Sequence, residues 1–165
     1  MKVYGIVGWK NSGKTTLVER LVSEITARGF SVSTVKHAHH TFDVDHEGKD
    51  SFRHRVAGAS EVLLASRNRW ALMHEIRDDA EPPLAKFLEK LAPVDLVLIE
   101  GYKRDCHAKL EVHRAETKQG LLVAEDATVT AVAANYVVDG LSVPQFELDD
   151  VKAIASYILK EVGLE

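Results

Sequence analysis

The amino-acid sequence points to an α/β fold: a mostly parallel sheet with helices on both faces, carrying a β-hairpin as an insertion or edge. Three stretches lead there. The first 36 residues read as strand, turn, helix and strand, a crossover that joins parallel strands. DLVLIE at 95–100 is an almost wholly apolar run of the kind a parallel sheet buries on both faces. EVLLAS (61–66) and WALMHEI (70–76), separated by RNR, form the two arms of the hairpin.

Each element follows from its local pattern. Lys2 to Val7 alternates and is β-branched, and GWKNSGKTT (8–16) supplies the turn. Leu17, Leu21 and Ile25, with Val18 and Val22 beside them, then recur at helical spacing, and Gly29 stands where a C-cap glycine ends such a helix. FSVSTVK (30–36) is the second strand. His37 to Lys49 is polar, rich in His and Asp, and has neither period, so a surface loop is expected. Asp50 to Ala59 reads as a short helix, and Pro82-Pro83 opens another over Leu84 to Leu91, because proline is tolerated in a first turn. KLEVHR (109–114), LLVA (121–124) and TVTAVAA (128–134) are further strands. Asp149 or Asp150 caps a final helix whose Val151, Ile154, Ala155, Ile158, Leu159 and Val162 share one face.

A chain of 165 residues suits one domain spanning 1–165, and no internal repeat divides it. Apolar residues at 45% and charged residues at 28% are ordinary for a globular protein, which excludes a disordered or fibrous class. The net charge of −4 argues against a surface that neutralises a nucleic-acid backbone. Cys106 is the one cysteine, so no intrachain disulfide forms and a reducing compartment is expected. Met1-Lys2 leads straight into a strand without the regions of a signal peptide, and no run approaches the ~18 apolar residues of a membrane span. The expectation is a cytoplasmic protein with no membrane or nucleic-acid partner.

The chemistry starts at Gly8-x4-Gly13-Lys14-Thr15, a Walker A pattern without a mismatch, set between strand and helix as the motif requires. Gly8 and Gly13 let backbone N–H groups turn inward around a phosphate, with Lys10, Asn11, Ser12 and Thr16 completing the binding loop. Lys14 reaches the β- and γ-phosphates, the Thr15 hydroxyl suits Mg²⁺, and the helix from Lys14 adds its positive end. The expectation is therefore a P-loop NTPase fold.

A cradle alone transfers nothing; carboxylates must hold the metal. Glu100 ends the DLVLI strand at the carboxyl edge, where α/β sheets bind ligands, and with Lys14 is a catalytic candidate; its other reading is a solvated strand-end acid. Asp43, Asp45 and Asp50 are a second supply, Asp45 being the first choice as metal ligand against a plain acidic loop. His37, His39, His40, His46 and His54 suit zinc or nickel, phosphate or partner contacts, or simple loop polarity. Lys36 and Lys49 flank that loop within reach of phosphates. Trp9 packs over a nucleotide, a partner or the adjoining loop, and Tyr102, Lys103 and Arg104 form either an anion-contacting or a solvated turn.

Three blocks, GWKNSGKTT, then VKHAHHTFDVDHEGKDSFRHRVAGA, then DLVLIEGYK followed by KLEV, together resemble the MobB family of molybdopterin-guanine dinucleotide biosynthesis adaptor proteins, in the family order and across residues 3–113. The resemblance implies a P-loop GTP-binding fold of the class that includes urease and hydrogenase maturation GTPases, weak GTPase activity and a homodimer. It also implies a partner, the MobA-type guanylyltransferase that joins GMP from GTP to molybdopterin, with molybdopterin as a further ligand. By position, Gly8, Gly13, Lys14 and Thr15 would hold phosphates and Mg²⁺, Glu100 would fill the Walker B role, and the Asp43 to Asp50 loop would switch.

Two departures bear on that picture. The extra lysine that related dimeric ATPases place before the P-loop lysine is Trp9 here, with Lys10 one step later. No NKxD guanine-reading element occurs, although Asn135 after TVTAVAA stands where its asparagine is expected. The preference for GTP over ATP thus rests on the resemblance. The alternatives are a small-molecule kinase or ligase using ATP, and a metal-insertion GTPase.

Overall fold

The computed structural model describes residues 1–38 and 44–165, so His39, His40 and Asp43 lie outside the described residues. In chain order the elements are β1 (Lys2–Gly8), α1 (Lys14–Ala27), β2 (Val32–Lys36), α2 (Asp50–Val56), β3 (Glu61–Ala65), β4 (Trp70–His74) and α3 (Leu84–Leu88). There follow β5 (Leu96–Glu100), β6 (Lys109–His113), β7 (Val129–Ala134), β8 (Gln145–Glu147) and α4 (Val151–Glu161). The chain divides into two compact units, Met1–His37 with Leu88–Glu165, and Ala38–Phe87.

The larger unit is built on a six-stranded sheet of order β2-β5-β1-β6-β7-β8, and all five pairings are parallel. The expected parallel sheet flanked by helices is therefore found, but the two long helices, α1 and α4, share one face instead of dividing between the two. β1 lies inside it, paired to β5 with Ile6 opposite Glu100 and to β6 with Gly8 opposite Val112. The apolar run at 96–99 is fully buried, as a strand covered on both faces must be.

On one face, Tyr4, Ile6, Leu98, Leu110, Val112 and Ala131 meet Leu17, Leu21 and Ile25 of α1 and Ile154, Ile158 and Leu159 of α4. The two helices also pack on each other. Gly29, at φ +94°, follows the end of α1, a backbone conformation that glycine adopts without Cβ strain. Of the two acids offered as the cap of the last helix, Asp150 takes the role, its carboxylate accepting from the Ala153 N–H at 3.1 Å.

The opposite face of β6 is polar yet buried. Lys109, Glu111 and His113 alternate with Leu110 and Val112 and are between 0% and 3% exposed. Each is satisfied by the chain that covers it. Lys109 donates to the Asp105 carbonyl, the Thr128 hydroxyl and, at 3.4 Å, Asp126. Glu111 accepts the N–H groups of Leu122 and Val123 at 2.9 and 3.0 Å. His113 lies between the Gln119 carbonyl and the Tyr136 hydroxyl, both at 3.0 Å.

This arrangement corrects one expectation. LLVA is not a strand: Leu122–Ala124 is a 3-10 turn, because its leading amides are turned onto Glu111 instead of a neighbouring strand. β8, three residues long, was not foreseen. Helices α2 and α3 are shorter than expected, ending at Val56 and Leu88, and Gly58 at φ +112° follows the first of them.

In the smaller unit, β3 and β4 form the expected hairpin as a separate antiparallel sheet, with Leu63 opposite Leu72 and Ala65 opposite Trp70. Asp45 is buried against Arg55 at 2.8 Å, and Arg55 reaches Glu75 at 3.7 Å. Leu63, Leu64, Trp70 and Leu72 are exposed. Among the described residues no helix is long and apolar enough to cross a membrane.

Glu111→Ala strands two backbone N–H donors under the covering segment, and an unmade buried bond costs about 1–3 kcal/mol. Urea denaturation should show a loss of about 3 kcal/mol, with Glu111→Gln losing less because its amide oxygen still accepts. Equal midpoints for Glu111→Ala and the parent would mean the carboxylate does not hold the turn.

Candidate functional site

The carboxyl edge of the parallel sheet gathers most of the residues singled out in the sequence. β1 ends at Gly8, the loop 9–13 follows, and α1 starts at Lys14 with Gly13, φ +98°, as its N-cap. Gly8 is required by space as well as angle. At φ +149°, a Cβ there would stand 2.3 Å from the Val112 carbonyl oxygen, so the loop crosses β6 at a distance that only glycine permits. Asn11 adopts φ +64°, and Ser12 is fully buried with its N–H on the Trp9 carbonyl at 3.2 Å. Lys10 and Thr16 are exposed.

Lys14 is turned back onto its own loop, Nζ donating to the Trp9 carbonyl at 2.7 Å and to Ser12 Oγ at 3.5 Å. Burial pulls its pKa below the ordinary lysine value, the Glu100 carboxylate opposes that, and Lys103 and Lys36 reinforce it. Lys103 is shifted the same way by burial, with Glu111 opposing. Its ammonium lies over the Trp9 ring, 4.2 Å from the centroid. The Trp9 indole N–H in turn donates to the Gly120 carbonyl at 2.7 Å. Trp9 thus packs against the chain at Lys103 and Gly120.

Thr15 and Glu100, 85 residues apart, meet directly: the Thr15 hydroxyl donates to Glu100 Oε1 at 2.9 Å. Lys36, at the end of β2, places Nζ 3.4 Å from both oxygens. A hydroxyl and a carboxylate at this distance form an all-oxygen donor pair of the kind a hard cation such as Mg²⁺ takes, and Lys36 is the ammonium now paired with that carboxylate. Next to them His37 stacks on Tyr102, centroids 4.5 Å apart. Tyr102 follows Gly101 into positive φ, at +49°, a backbone setting uncommon for an aromatic residue.

Other candidates make contacts of their own. Asp45 belongs to the smaller unit, where its carboxylate is bound to Arg55. His46 and His54 are exposed there, and among the described residues no three His, Cys, Asp or Glu side chains converge on a metal position. Asn135 follows β7, its side chain joined to the Ala115 N–H and to Glu116.

Arg114 had no sequence signal of its own. Just beyond β6, it donates Nε to the Ser12 carbonyl at 3.2 Å and lies under Gly13, where an added Cβ would meet it at 3.2 Å. Its position directly after a strand that neighbours β1 was the available clue.

The family MobB, described as molybdopterin guanine dinucleotide synthesis protein B, matches residues 3–135. A molybdopterin-guanine dinucleotide biosynthesis adapter protein of Haemophilus influenzae is 41% identical over 160 residues, covering 93% of this chain and 85% of the relative. Its Escherichia coli counterpart is 36% identical over 157 residues, covering 92% and 88%. The crystal structure of a MobB protein homolog from Bacillus stearothermophilus superposes with a TM-score of 0.76 at 31% identity, over the whole of both chains.

Gly8→Ala forces a backbone clash and a strained angle together, and a loss of about 3 kcal/mol is expected in urea denaturation. Gly29→Ala, with nothing near its Cβ, serves as the comparison and should lose about 1 kcal/mol from the angle alone. Parity between the two would show that the close crossing over Val112 is not a constraint.

Proposed function

Because this chain belongs to the MobB family, we propose that it is a GTP-binding adaptor with slow Mg²⁺-dependent GTPase activity, serving the guanylyltransferase that forms molybdopterin guanine dinucleotide. The observation that carries the nucleotide part is the contact between the Walker A hydroxyl of Thr15 and the strand-end carboxylate of Glu100. Around that contact stand three ammonium groups, Lys14, Lys36 and Lys103, of which Lys14 and Lys103 are held below their ordinary pKa by burial. Such a site is short of negative charge, and polyphosphate supplies it.

In this reading Lys14 exchanges the Trp9 carbonyl for the β- and γ-phosphate oxygens. The inward N–H groups of residues 10–16, ahead of and at the start of α1, take the remaining oxygens. Thr15 and Glu100 hold Mg²⁺, which when bound would neutralise charge on the phosphates. Lys36 contacts the terminal phosphate from the β2 side. Asp45 is engaged with Arg55 in the smaller unit, and the reading assigns the ion to Thr15 and Glu100.

The partner side of the proposal rests on the relatives, which are named as adapter proteins of this biosynthesis. A homodimer belongs to the same reading and is supported by the hairpin. A two-stranded sheet is marginal alone, and β3–β4 leaves Leu63, Leu64, Trp70 and Leu72 open to a second copy. The cytoplasm is the proposed location, where GTP and the single free thiol, Cys106, are both at home.

Competition of GTP and ATP for a labelled GTP analogue, with Mg²⁺, tests the reading. GTP should displace the label at lower concentration than ATP, and Lys14→Ala should weaken binding by roughly 100-fold, the loss of about 3 kcal/mol of charge-assisted bonding. Tighter binding of ATP would favour an ATP-dependent kinase or ligase.

A further inference from the structure

The carboxyl edge of the large unit has a direction. Toward β5 and β2 lie Thr15, Glu100 and Lys36, the end suited to a metal and a terminal phosphate. Toward β6 and β7, Arg114 touches the Ser12 carbonyl, and the next two residues, Ala115 and Glu116, meet Asn135 beyond the end of β7. A nucleotide with its terminal phosphate at the first end extends its nucleoside toward the second.

The orientation of the Asn135 amide is decided by its neighbours. The Ala115 N–H needs an acceptor, so Oδ1 faces it at 3.2 Å, and Nδ2 donates to the two oxygens of Glu116 at 3.1 and 3.0 Å. The flipped amide would set oxygen against carboxylate and N–H against N–H. Asn135 therefore buttresses a carboxylate instead of offering its own amide. Glu116 is exposed, and its own backbone N–H together with the Asn135 amide holds its carboxyl below the ordinary range, so it stays ionised at neutral pH. A carboxylate has about four acceptor positions, more than Asn135 fills.

We propose that Glu116, set in place by Asn135, reads the base of the nucleotide and selects guanine; the inference rests on the nucleotide-binding reading above. Guanine presents N1–H and the N2 amino group side by side, two donors that one carboxylate accepts together. Adenine presents a bare N1 at the same place, an acceptor facing an acceptor. In a chain without NKxD, the acid that recognises guanine is then supplied from the β6–β7 connection, with the asparagine beyond β7 as its support.

The test compares the parent, Glu116→Gln, Asn135→Ala and Lys14→Ala by titration with GTP, ITP, XTP and ATP in the presence of Mg²⁺. For the parent, ITP, which lacks the N2 amino group, should bind roughly 10-fold more weakly than GTP, as one charge-assisted bond is lost. Glu116→Gln should lose roughly 30-fold or more for GTP and gain for XTP, because its amide offers one donor and one acceptor to match the xanthine C2 carbonyl and N1–H. Asn135→Ala should reduce the GTP-to-ITP ratio without inverting the preference. Unchanged GTP:ITP:XTP ratios in Glu116→Gln, with GTP still bound through Lys14, would overturn this inference and leave the nucleotide reading intact. Absence of Lys14-dependent GTP binding in the parent would overturn both. The exposure of Glu116 makes a folding failure easy to recognise, since the melting temperature of Glu116→Gln should match that of the parent.

Discussion

Parallel pairing of β1 on both of its sides sets the rest of the molecule. Strands that run together and pair in register end together, so whatever follows β1, β5 and β6 is delivered to one edge. The register does the finer work. With Ile6 opposite Glu100, the acid lies two positions behind Gly8, within reach of the first turn of α1, and Thr15 finds it. With Gly8 opposite Val112, Arg114 falls beneath the loop and holds Ser12. A slip of one residue would turn every side chain of the slipped strand to the other face and separate these pairs.

The two faces of the sheet are held by different means. Toward α1 and α4 the contact is apolar, each fully buried Leu or Ile contributing roughly 1.5–3 kcal/mol. Toward the 101–128 segment the contact is directional. Lys109, Glu111 and His113 bind backbone groups at fixed places and thereby index the covering chain residue by residue. Gln119, Leu122 and Val123 are fixed from below, and between them the Gly120 carbonyl receives the Trp9 indole. The polar row under the sheet thus reaches the phosphate loop through one tryptophan.

Much of this was legible in the amino-acid order, and the reasons differ by element. The opening β-turn-α-β unit and the 95–100 strand announce themselves because their patterns are long and their chemistry is local. Glu100 was legible as the acid at the carboxyl edge because a strand end followed by glycine is a position, not merely a residue type, and the structure sets it against Thr15. LLVA misled because four apolar residues fit a strand as well as a turn, and what decides is a carboxylate eleven residues before the turn. KLEVHR was read as a strand, but that its polar face is buried too depends on chain that folds back over it. Asp45 looked like a metal ligand because acid on a loop near a cradle usually is one, while its partner Arg55 is ten residues on. Arg114 and Glu116 carry no motif, and only the strand order brings them beside the loop and Asn135.

The course of the chain around Lys36 has a consequence of its own. β2 is one of the two edge strands and, among the described residues, is bonded to β5 alone; the polypeptide leaves it at Lys36-His37 for the smaller unit and re-enters the sheet through that same neighbour. The residue at which the chain leaves β2 is therefore the one whose ammonium shares Glu100 with Thr15. Covalent continuity with the smaller unit and the charge beside the Thr15–Glu100 oxygen pair thus meet in one residue.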